Sequence, residues 1–166
     1  MSRYKITKTV QIAAPIEEVF KVVSDPENLL RLELIPEESP IRILSIERIT
    51  KEPTGIGSVW HFRGTIDKAP IEYDEQVVEW EPPRKLVTKQ ISGPFKGISR
   101  WEHRLLPIRA GTREVDTIDY EPPASLRKPA DRKEFRKRLD ASFEIAMGKL
   151  KGFLEHKAEE GGKSRG

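Results

Sequence analysis

Hydrophobic residues recur at helical spacing near the end of the chain, from about Ala130 to His156, and predict one long amphipathic helix. The opposite side of this helix carries mostly Lys and Arg. A helix with one broad apolar face needs a broad apolar surface to lie on, and the strands predicted upstream can supply it. The apolar positions of the helix are Phe135, Leu139, Phe143, Ala146, Met147, Leu150, Phe153 and Leu154.

The upstream sequence alternates apolar and polar residues in short segments, which is typical of β-strands. A first strand is predicted at Tyr4 to Ile12, followed by a helix that starts after Pro15 and a second short helix after Asp25. Six strands then follow, separated by turns at intervals of about 8–12 residues. No helix lies between them, which indicates an antiparallel meander. Their predicted bounds are residues 41–51, 58–66, 71–80, 85–92, 95–106 and 113–120.

The order of one strand, two short helices, six strands and a long helix predicts an α+β fold with a seven-stranded curved antiparallel sheet. We expect a single domain over residues 1–157 and a flexible, polar, glycine-rich tail over residues 158–166. A sheet of this kind wraps around the long helix. The space between them is either filled by side chains or hollow.

Composition narrows the functions to consider. The 30 basic and 27 acidic residues leave a net charge of only +3, which argues against a nucleic-acid-binding surface. The chain has no cysteine and its three histidines lack a metal-ligand spacing, so we expect no metal and no cofactor. No apolar run is long enough to span a membrane and no signal peptide is visible, so we expect a cytoplasmic protein without integral membrane contact. Few amides and many charged residues favour a heat-adapted, thermophilic source.

Several short motifs lie at the predicted turns, helix starts and strand ends. They are APIEEVF at 14–20, SDPENL at 24–29, GIGS at 55–58, EWEPPRKL at 79–86, SGPF at 92–95, and GT at 111–112 with DYEP at 119–122. In this order they resemble the START-like superfamily, also called SRPBCC, over roughly Tyr4 to Glu155. The resemblance implies a helix-grip fold with a deep cavity between sheet and C-terminal helix, usually for a hydrophobic small molecule. The superfamily includes polyketide cyclases, lipid-transfer domains and pollen-allergen-like proteins, so the resemblance implies no single reaction.

The alternation along three predicted strands indicates which side chains face the concave side of the sheet. For the third strand the opposite register is also open, and it would place His61 and Arg63 inside. The predicted inward residues are Trp60 and Phe62 on the third strand, Phe95, Gly97, Ser99, Trp101, His103 and Leu105 on the sixth, and Asp116, Ile118 and Tyr120 on the seventh.

Three of these inward residues suggest chemistry: His103, Asp116 and Tyr120. A histidine oriented by a carboxylate can act as a general acid or base near neutral pH, and a tyrosine can hydrogen-bond an enol or carbonyl oxygen. As a catalytic group they would suit an aldol-type cyclisation or a dehydration. The alternative is that His103 is an interior histidine with satisfied hydrogen bonds and Tyr120 closes the pocket.

The aromatic residues of the sheet and the long helix predict a surface for a small apolar ligand, with ordinary core packing as the alternative. Together with the polar candidates, the predicted ligand-binding residues are Trp60, Phe62, Trp101, His103, Tyr120, Phe135, Leu139 and Phe143.

The sequence leaves three functions open as alternatives. The first is binding or transport of a small hydrophobic or amphipathic molecule, and the second is a cofactor-independent enzyme of the cyclase or dehydratase type. The third is a protein-interaction module without a ligand. The first two require empty space between the sheet and the terminal helix, whereas the third does not. Ligand identity and oligomeric state do not follow from the sequence.

Overall fold

The described residues form seven strands and three helices. The structure is a computed structural model that describes residues 4–94 and 97–164, with side chains as far as residue 161. The elements in chain order are β1 (Tyr4–Ile12), α1 (Ile16–Val23), α2 (Asn28–Arg31), β2 (Ile41–Arg48), β3 (Val59–Ile66), β4 (Ala69–Glu81), β5 (Lys85–Ser92), β6 (Ile98–Ile108), β7 (Gly111–Tyr120) and α3 (Pro129–Ser164).

All seven strands belong to one antiparallel sheet with the order β1-β7-β6-β5-β4-β3-β2. Strands β2 to β7 pair consecutively as a meander, and β1 pairs with the last strand, from Tyr4 opposite Tyr120 to Ile12 opposite Thr112. The edges of the sheet are therefore β1 and β2. The predicted α+β helix-grip fold is confirmed.

The apolar face of α3 packs against the concave side of the sheet and forms the core with it. Phe153, predicted on this face, is instead 37% exposed at its margin. None of the described helices combines the length and the apolar character needed to cross a membrane. The helix residues buried in the core are Phe135, Leu139, Phe143, Met147, Leu150 and Leu154.

Polar contacts fix the C-terminal part of α3 to the edge strand β1. Lys151 Nζ donates a hydrogen bond to the carbonyl oxygen of Gln11 at 2.8 Å. Glu155 Oε2 accepts one from the backbone N–H of Ala13, also at 2.8 Å. The backbone groups at this end of β1 are thus satisfied by helix side chains, which protects the edge from pairing with another strand.

The long helix extends beyond its predicted end at His156 and finishes at Ser164. Residues 158–164 of the predicted flexible tail therefore belong to α3. The sequence there lacks an apolar stripe, but charged side chains one turn apart support a helix. His156 Nε2 lies 3.1 Å from Glu160 Oε1 in such a pair.

The inward face of β6 differs from strict alternation at its start. The pairing with β7 shifts register between Ile98 and Arg100, because one extra residue is accommodated there. Ile98 consequently packs on the core. Ser99, predicted to face inward, instead donates a hydrogen bond to the carbonyl oxygen of Asp119 at 3.4 Å. Phe95, also predicted on this face, lies outside the described residues.

The register of β3 places Trp60 and Phe62 in the core and His61 on the outer face of the sheet. The alternative register, with His61 and Arg63 inside, is therefore wrong. On the outer face His61 lies between two carboxylates of β4. Its Nδ1 is 2.5 Å from Asp74 Oδ1 and its Nε2 is 2.6 Å from Glu72 Oε1.

This outer cluster predicts a pH-dependent contribution to stability. Hydrogen bonds to Asp74 and then Glu72 raise the pKa of His61 in the folded protein. The stabilisation by protonated His61 is then fully present below the unfolded pKa of about 6.5 and is lost as the pH rises through the higher folded pKa. We expect the His61→Gln substitution to cost more unfolding free energy at about pH 5.5 than at about pH 9, as measured by urea unfolding at both pH values. An equal cost at both would contradict this account.

A second prediction concerns Gly64 in β3, where β2 approaches closely. A Cβ atom at Gly64 would overlap the carbonyl oxygen of Arg42, and a paired backbone cannot move aside easily. We expect Gly64→Ala to lower the free energy of unfolding by about 1–3 kcal/mol. In the matched control Gly148→Ala, on the exposed side of α3, the added Cβ meets nothing within 4 Å. That change should raise stability by ~1 kcal/mol, and a similar effect of both substitutions would argue against the close approach.

Candidate functional site

Two neighbouring cavities lie between the sheet and α3, where the sequence predicts open space. Cavity 1 has a volume of about 90 Å³ and cavity 2 a volume of about 80 Å³. Each is smaller than a ~150 Å³ cavity known to hold benzene, and together they slightly exceed it. The residues that line both cavities are Leu29, Glu75, Trp101, Phe143 and Ala146.

The corner between α1 and α2 forms one wall of cavity 1. Asp25 organises it, because its Oδ1 accepts a hydrogen bond from the backbone N–H of Glu27 at 3.0 Å and its Oδ2 accepts one from Arg31 at 2.7 Å. Asn28 Nδ2 donates to the carbonyl oxygen of Val22 at 2.9 Å and ties α2 to α1. Residues 23–29 are half-buried, so this corner is a side on which cavity 1 comes close to solvent.

A polar group forms another wall of cavity 1. The pairing of β6 with β7 places His103 directly opposite Asp116. Glu114 lies two residues before Asp116, on the same face of β7. His103 Nδ1 lies 3.1 Å from Asp116 Oδ2 and 3.7 Å from Glu114 Oε2. Trp101 Nε1 donates a hydrogen bond to the same Asp116 oxygen at 3.1 Å, and its ring stacks on the His103 ring with centroids 5.2 Å apart.

Burial changes the ionisation of these groups. It raises the pKa of Glu114 to about 8, with a further contribution from the charge of Asp116. Burial also lowers the pKa of His103, but the charge of Asp116 and the contact with it outweigh this and raise the value to about 10. At Asp116 burial acts to raise the pKa, but the charge of His103 and the contacts with His103, Glu114 and Trp101 together outweigh it, so the pKa of Asp116 is lowered. Near neutral pH the group therefore consists of a His103–Asp116 ion pair beside a largely protonated Glu114.

Several oxygens of this group have no hydrogen-bond partner among the described residues. They are both carboxyl oxygens of Glu114 and Oδ1 of Asp116. Glu114 is 0% exposed and Asp116 is 2% exposed, so water does not surround them. An unsatisfied buried polar group costs ~1–3 kcal/mol. These oxygens are therefore the atoms best placed to gain from contact with a bound molecule.

A further carboxyl group, which is half-buried, lies on the shared wall of the two cavities. Glu75 of β4 lines both of them. Burial raises the pKa of Glu75 to about 7, against a smaller opposing effect of the charge of His103. The polar character of the cavities is thus predominantly acidic.

Most of the predicted ligand-binding residues line the cavities. Trp60, Trp101, His103 and Phe143 line cavity 1, and Phe62 and Leu139 line cavity 2 together with Trp101 and Phe143. The Trp101 and Phe143 rings meet edge to face, with centroids 5.5 Å apart, and connect the sheet to the helix between the cavities. Tyr120 and Phe135 line neither cavity.

The structure does not bring Tyr120 to the His103–Asp116 pair. Its ring packs against Tyr4 and Phe135, with centroids 5.4 and 6.2 Å away, and its hydroxyl accepts a hydrogen bond from Arg136 at 3.2 Å. It shares a face of β7 with Asp116, but four residues of strand separate the two by about 13 Å. The predicted three-residue group is therefore not assembled.

Among the cavity residues that the sequence predictions missed are two carboxyl groups, those of Glu114 and Glu75. Glu114 stands two positions before Asp116, so the alternation that turns Asp116 inward also turns Glu114 inward. Glu75 has the same parity as the buried Tyr73 and Val77 of β4. The signal was present in both cases, but a glutamate is rarely assigned to a core because burial of its charge is costly.

The same polar group offers candidate metal ligands. One ring nitrogen of His103 and one carboxylate oxygen each from Glu114 and Asp116 all lie within 4.8 Å of one another. A nitrogen and two oxygens of this kind suit a divalent cation. We expected no metal because the three histidines lack a metal-ligand spacing among themselves. A site that combines one histidine with carboxylates of the next strand is not visible from that spacing.

The chain matches, over residues 3–155, the model of a family described as polyketide cyclase / dehydrase and lipid transport. The protein therefore belongs to this family, and the predicted START-like relationship is confirmed. No curated protein matches the sequence.

Solved structures with the same fold include proteins from three bacteria. A START superfamily protein from Mycobacterium smegmatis aligns with a TM-score of 0.68 and 18% identity, covering 93% of this chain and 99% of that one. A protein from Thermus thermophilus aligns with a TM-score of 0.67 and 21% identity, covering 91% and 97%. The Zhui aromatase/cyclase from a Streptomyces species aligns with a TM-score of 0.64 and 20% identity, covering 95% and 96%. At these identities the similarity establishes the fold alone.

Proposed function

We propose that the protein binds a small, largely apolar molecule with one polar group in the space between the sheet and α3. The observation that carries this proposal is the pair of adjoining cavities, the first of which ends at the His103–Glu114–Asp116 group. An apolar pocket with a few convergent polar groups is the usual form of a small-molecule site. The family description, which includes lipid transport, supports a binding function.

Cavity volume sets the size of the ligand. The volumes of about 90 and 80 Å³ together correspond to a molecule with roughly one aromatic ring. The walls contributed by Trp60, Trp101 and Phe143 favour an aromatic or flat apolar body, since aromatic rings pair edge to face or with offset stacking. A long-chain lipid exceeds this space.

The polar wall sets the orientation of the ligand. Glu114 Oε1, Glu114 Oε2 and Asp116 Oδ1 lack hydrogen-bond partners and are able to accept a hydrogen bond. A ligand with a hydroxyl or amino group would donate to them, and its apolar part would then extend between Trp101 and Phe143. Phenol is the simplest probe with this character, and toluene is its counterpart without the donor.

We expect phenol to bind in cavity 1 and to shift the indole N–H signals of Trp60 and Trp101 in an NMR titration. The Trp80 signal should move less, because Trp80 packs against Phe20 and is not among the residues that line cavity 1. Phenol should also bind more tightly than toluene, because one net hydrogen bond contributes ~0.5–1.5 kcal/mol. A purely apolar cavity would give the opposite order, since toluene is the more hydrophobic molecule.

The matched variants for this titration are neighbours on α3. Ala146→Phe fills space at a residue that lines both cavities and should weaken phenol binding at least ~10-fold, because ring and ligand would compete for the same volume. Ile145→Phe places the same ring at a position that is 43% exposed and should leave binding unchanged. Preference for toluene, or full binding by Ala146→Phe, would refute the proposal. Tight binding of hexadecanoate would refute its size limit.

A cofactor-independent cyclase is the second candidate function. It is favoured by the His103–Asp116 pair in a cavity wall and by the family description, which includes polyketide cyclases. In such a reaction the Asp116 carboxylate takes a proton from a carbon next to a carbonyl, and that carbon bonds to a second carbonyl carbon, whose oxygen receives a proton from the His103 imidazolium. The same pair then removes a second proton from the attacking carbon and protonates the new hydroxyl, so that a C=C bond forms and water leaves. Tyr120 takes no part, because it lies away from the pair.

Heptane-2,6-dione tests this candidate, because it is small enough for the cavities and closes to 3-methylcyclohex-2-enone with loss of one water. If the protein is a cyclase, it should accelerate this reaction, and His103→Ala should reduce the rate at least ~100-fold. Toluene binding by His103→Ala, followed by NMR, serves as the control for an intact cavity. Equal rates with and without protein would exclude the cyclase candidate for this substrate and leave the binding proposal standing.

A further inference from the structure

Two buried carboxyl groups and one half-buried histidine direct metal-ligating atoms toward one point in the wall of cavity 1. His103 Nδ1 lies 3.1 Å from Asp116 Oδ2 and 3.7 Å from Glu114 Oε2, and one ligand atom from each residue lies within 4.8 Å of the others. Two ligands of one ion with bonds near 2.1 Å are separated by roughly 3–4 Å. The two distances from the imidazole fall in this range, so small side-chain rotations suffice to place an ion between the three residues.

A second observation is independent of this spacing. Glu114 is 0% exposed, and neither of its carboxyl oxygens has a hydrogen-bond partner among the described residues. Asp116 Oδ1 is in the same situation, and only Oδ2 receives a hydrogen bond, from Trp101. Buried polar atoms are almost always paired, so a group with three unpaired acceptor atoms lacks a partner that would satisfy them.

We propose that His103, Glu114 and Asp116 form a binding site for a divalent transition-metal ion such as Zn²⁺, with one coordination position open to cavity 1. The charges balance, since a neutral imidazole and two carboxylates neutralise a doubly charged ion. The imidazole nitrogen favours Zn²⁺ and similar ions over Mg²⁺ and Ca²⁺, which prefer oxygen ligands only and in larger number.

The open position follows from the number of ligands. Closed structural zinc sites have four protein ligands, whereas sites that act on a bound molecule have three and keep one position for water or substrate. Among the described residues no fourth His, Cys, Asp or Glu joins the group, and Glu75 of the same cavity is not part of it. All three ligands line cavity 1, so a molecule in that cavity would reach the ion.

The outer face of the sheet provides a matched comparison. His61 also contacts two carboxylates, but Asp74 lies at its Nδ1 and Glu72 at its Nε2. The two carboxylates are therefore on opposite sides of the ring, and one ion cannot reach both together with a single ring nitrogen. This cluster has the same residue types as the inner one without the convergent geometry.

The experiment uses the full chain treated with a chelator and titrated with Zn²⁺ alone by calorimetry, followed by Co²⁺ substitution and visible spectroscopy. We expect one Zn²⁺ per chain, and Glu114→Gln and Asp116→Asn should each weaken Zn²⁺ binding at least ~10-fold. His61→Gln and His156→Gln should bind Zn²⁺ like the unchanged protein. Bound Co²⁺ should show the intense visible absorption of a four- or five-coordinate ion.

Several outcomes would overturn the proposal. They are the absence of Zn²⁺ binding, binding that survives Glu114→Gln and Asp116→Asn, binding lost in His61→Gln, or the weak spectrum of a six-coordinate Co²⁺. The Co²⁺ spectrum is measured on the unchanged protein, so the test does not depend on the folding of a variant. Metal binding is measured without an organic ligand, so its failure would leave the phenol experiment and the proposed function untouched.

Discussion

The fold and the candidate site both depend on the packing of α3 against the concave side of the sheet. A curved sheet and a long helix do not match along their whole length, and large side chains bridge the gap between them. The edge-to-face contact of Trp101 with Phe143, at 5.5 Å between centroids, is one such bridge. It holds the two layers apart while leaving space on either side, so that one core interaction creates two cavities. Near the end of β7, Tyr120 packs across the same gap against Phe135 of α3, with ring centroids 6.2 Å apart, and neither residue lines a cavity.

The polar group in cavity 1 is not explained by stability. A buried ion pair between His103 and Asp116 recovers only part of the cost of removing two charges from water, and well-packed apolar residues often serve a core equally well. Glu114 adds a further buried carboxyl group whose oxygens remain unpaired. Strongly shifted pKa values in a cavity are typical of functional sites, because binding and catalysis need groups that the fold alone leaves unsatisfied. The location of this group, rather than the fold class, is therefore the main argument that the cavity has a function.

The sequence predicted which faces of the strands point inward. It did not predict how far apart two inward residues lie along a strand, or where an extra residue changes the inward face. Alternation identified the inward faces that carry Trp60, Trp101 and Asp116, because successive side chains of a strand point to opposite sides. The same rule could not show that Tyr120 lies a long way along β7 from Asp116. It also missed the shifted start of β6 at Ser99, since an extra residue in one strand changes the face without leaving a strong sequence signal.

The two histidine clusters show why composition alone could not identify the site. His61 and His103 are each surrounded by one Asp and one Glu from a neighbouring strand. Outside, the imidazole lies between its carboxylates and both contacts are made. Hydrogen bonds from Ser92 and then His61 lower the pKa of Asp74, and those from His61 and then Arg63 lower the pKa of Glu72. Inside, both carboxyl groups approach the same ring nitrogen, burial raises the pKa of Glu114 to about 8, and acceptor atoms are left over. Identical residue types thus give a satisfied surface cluster in one place and an unsatisfied, convergent group in the other. The difference arises from the direction in which the sheet turns each strand face, since His61 lies on the outer face and His103 lines cavity 1.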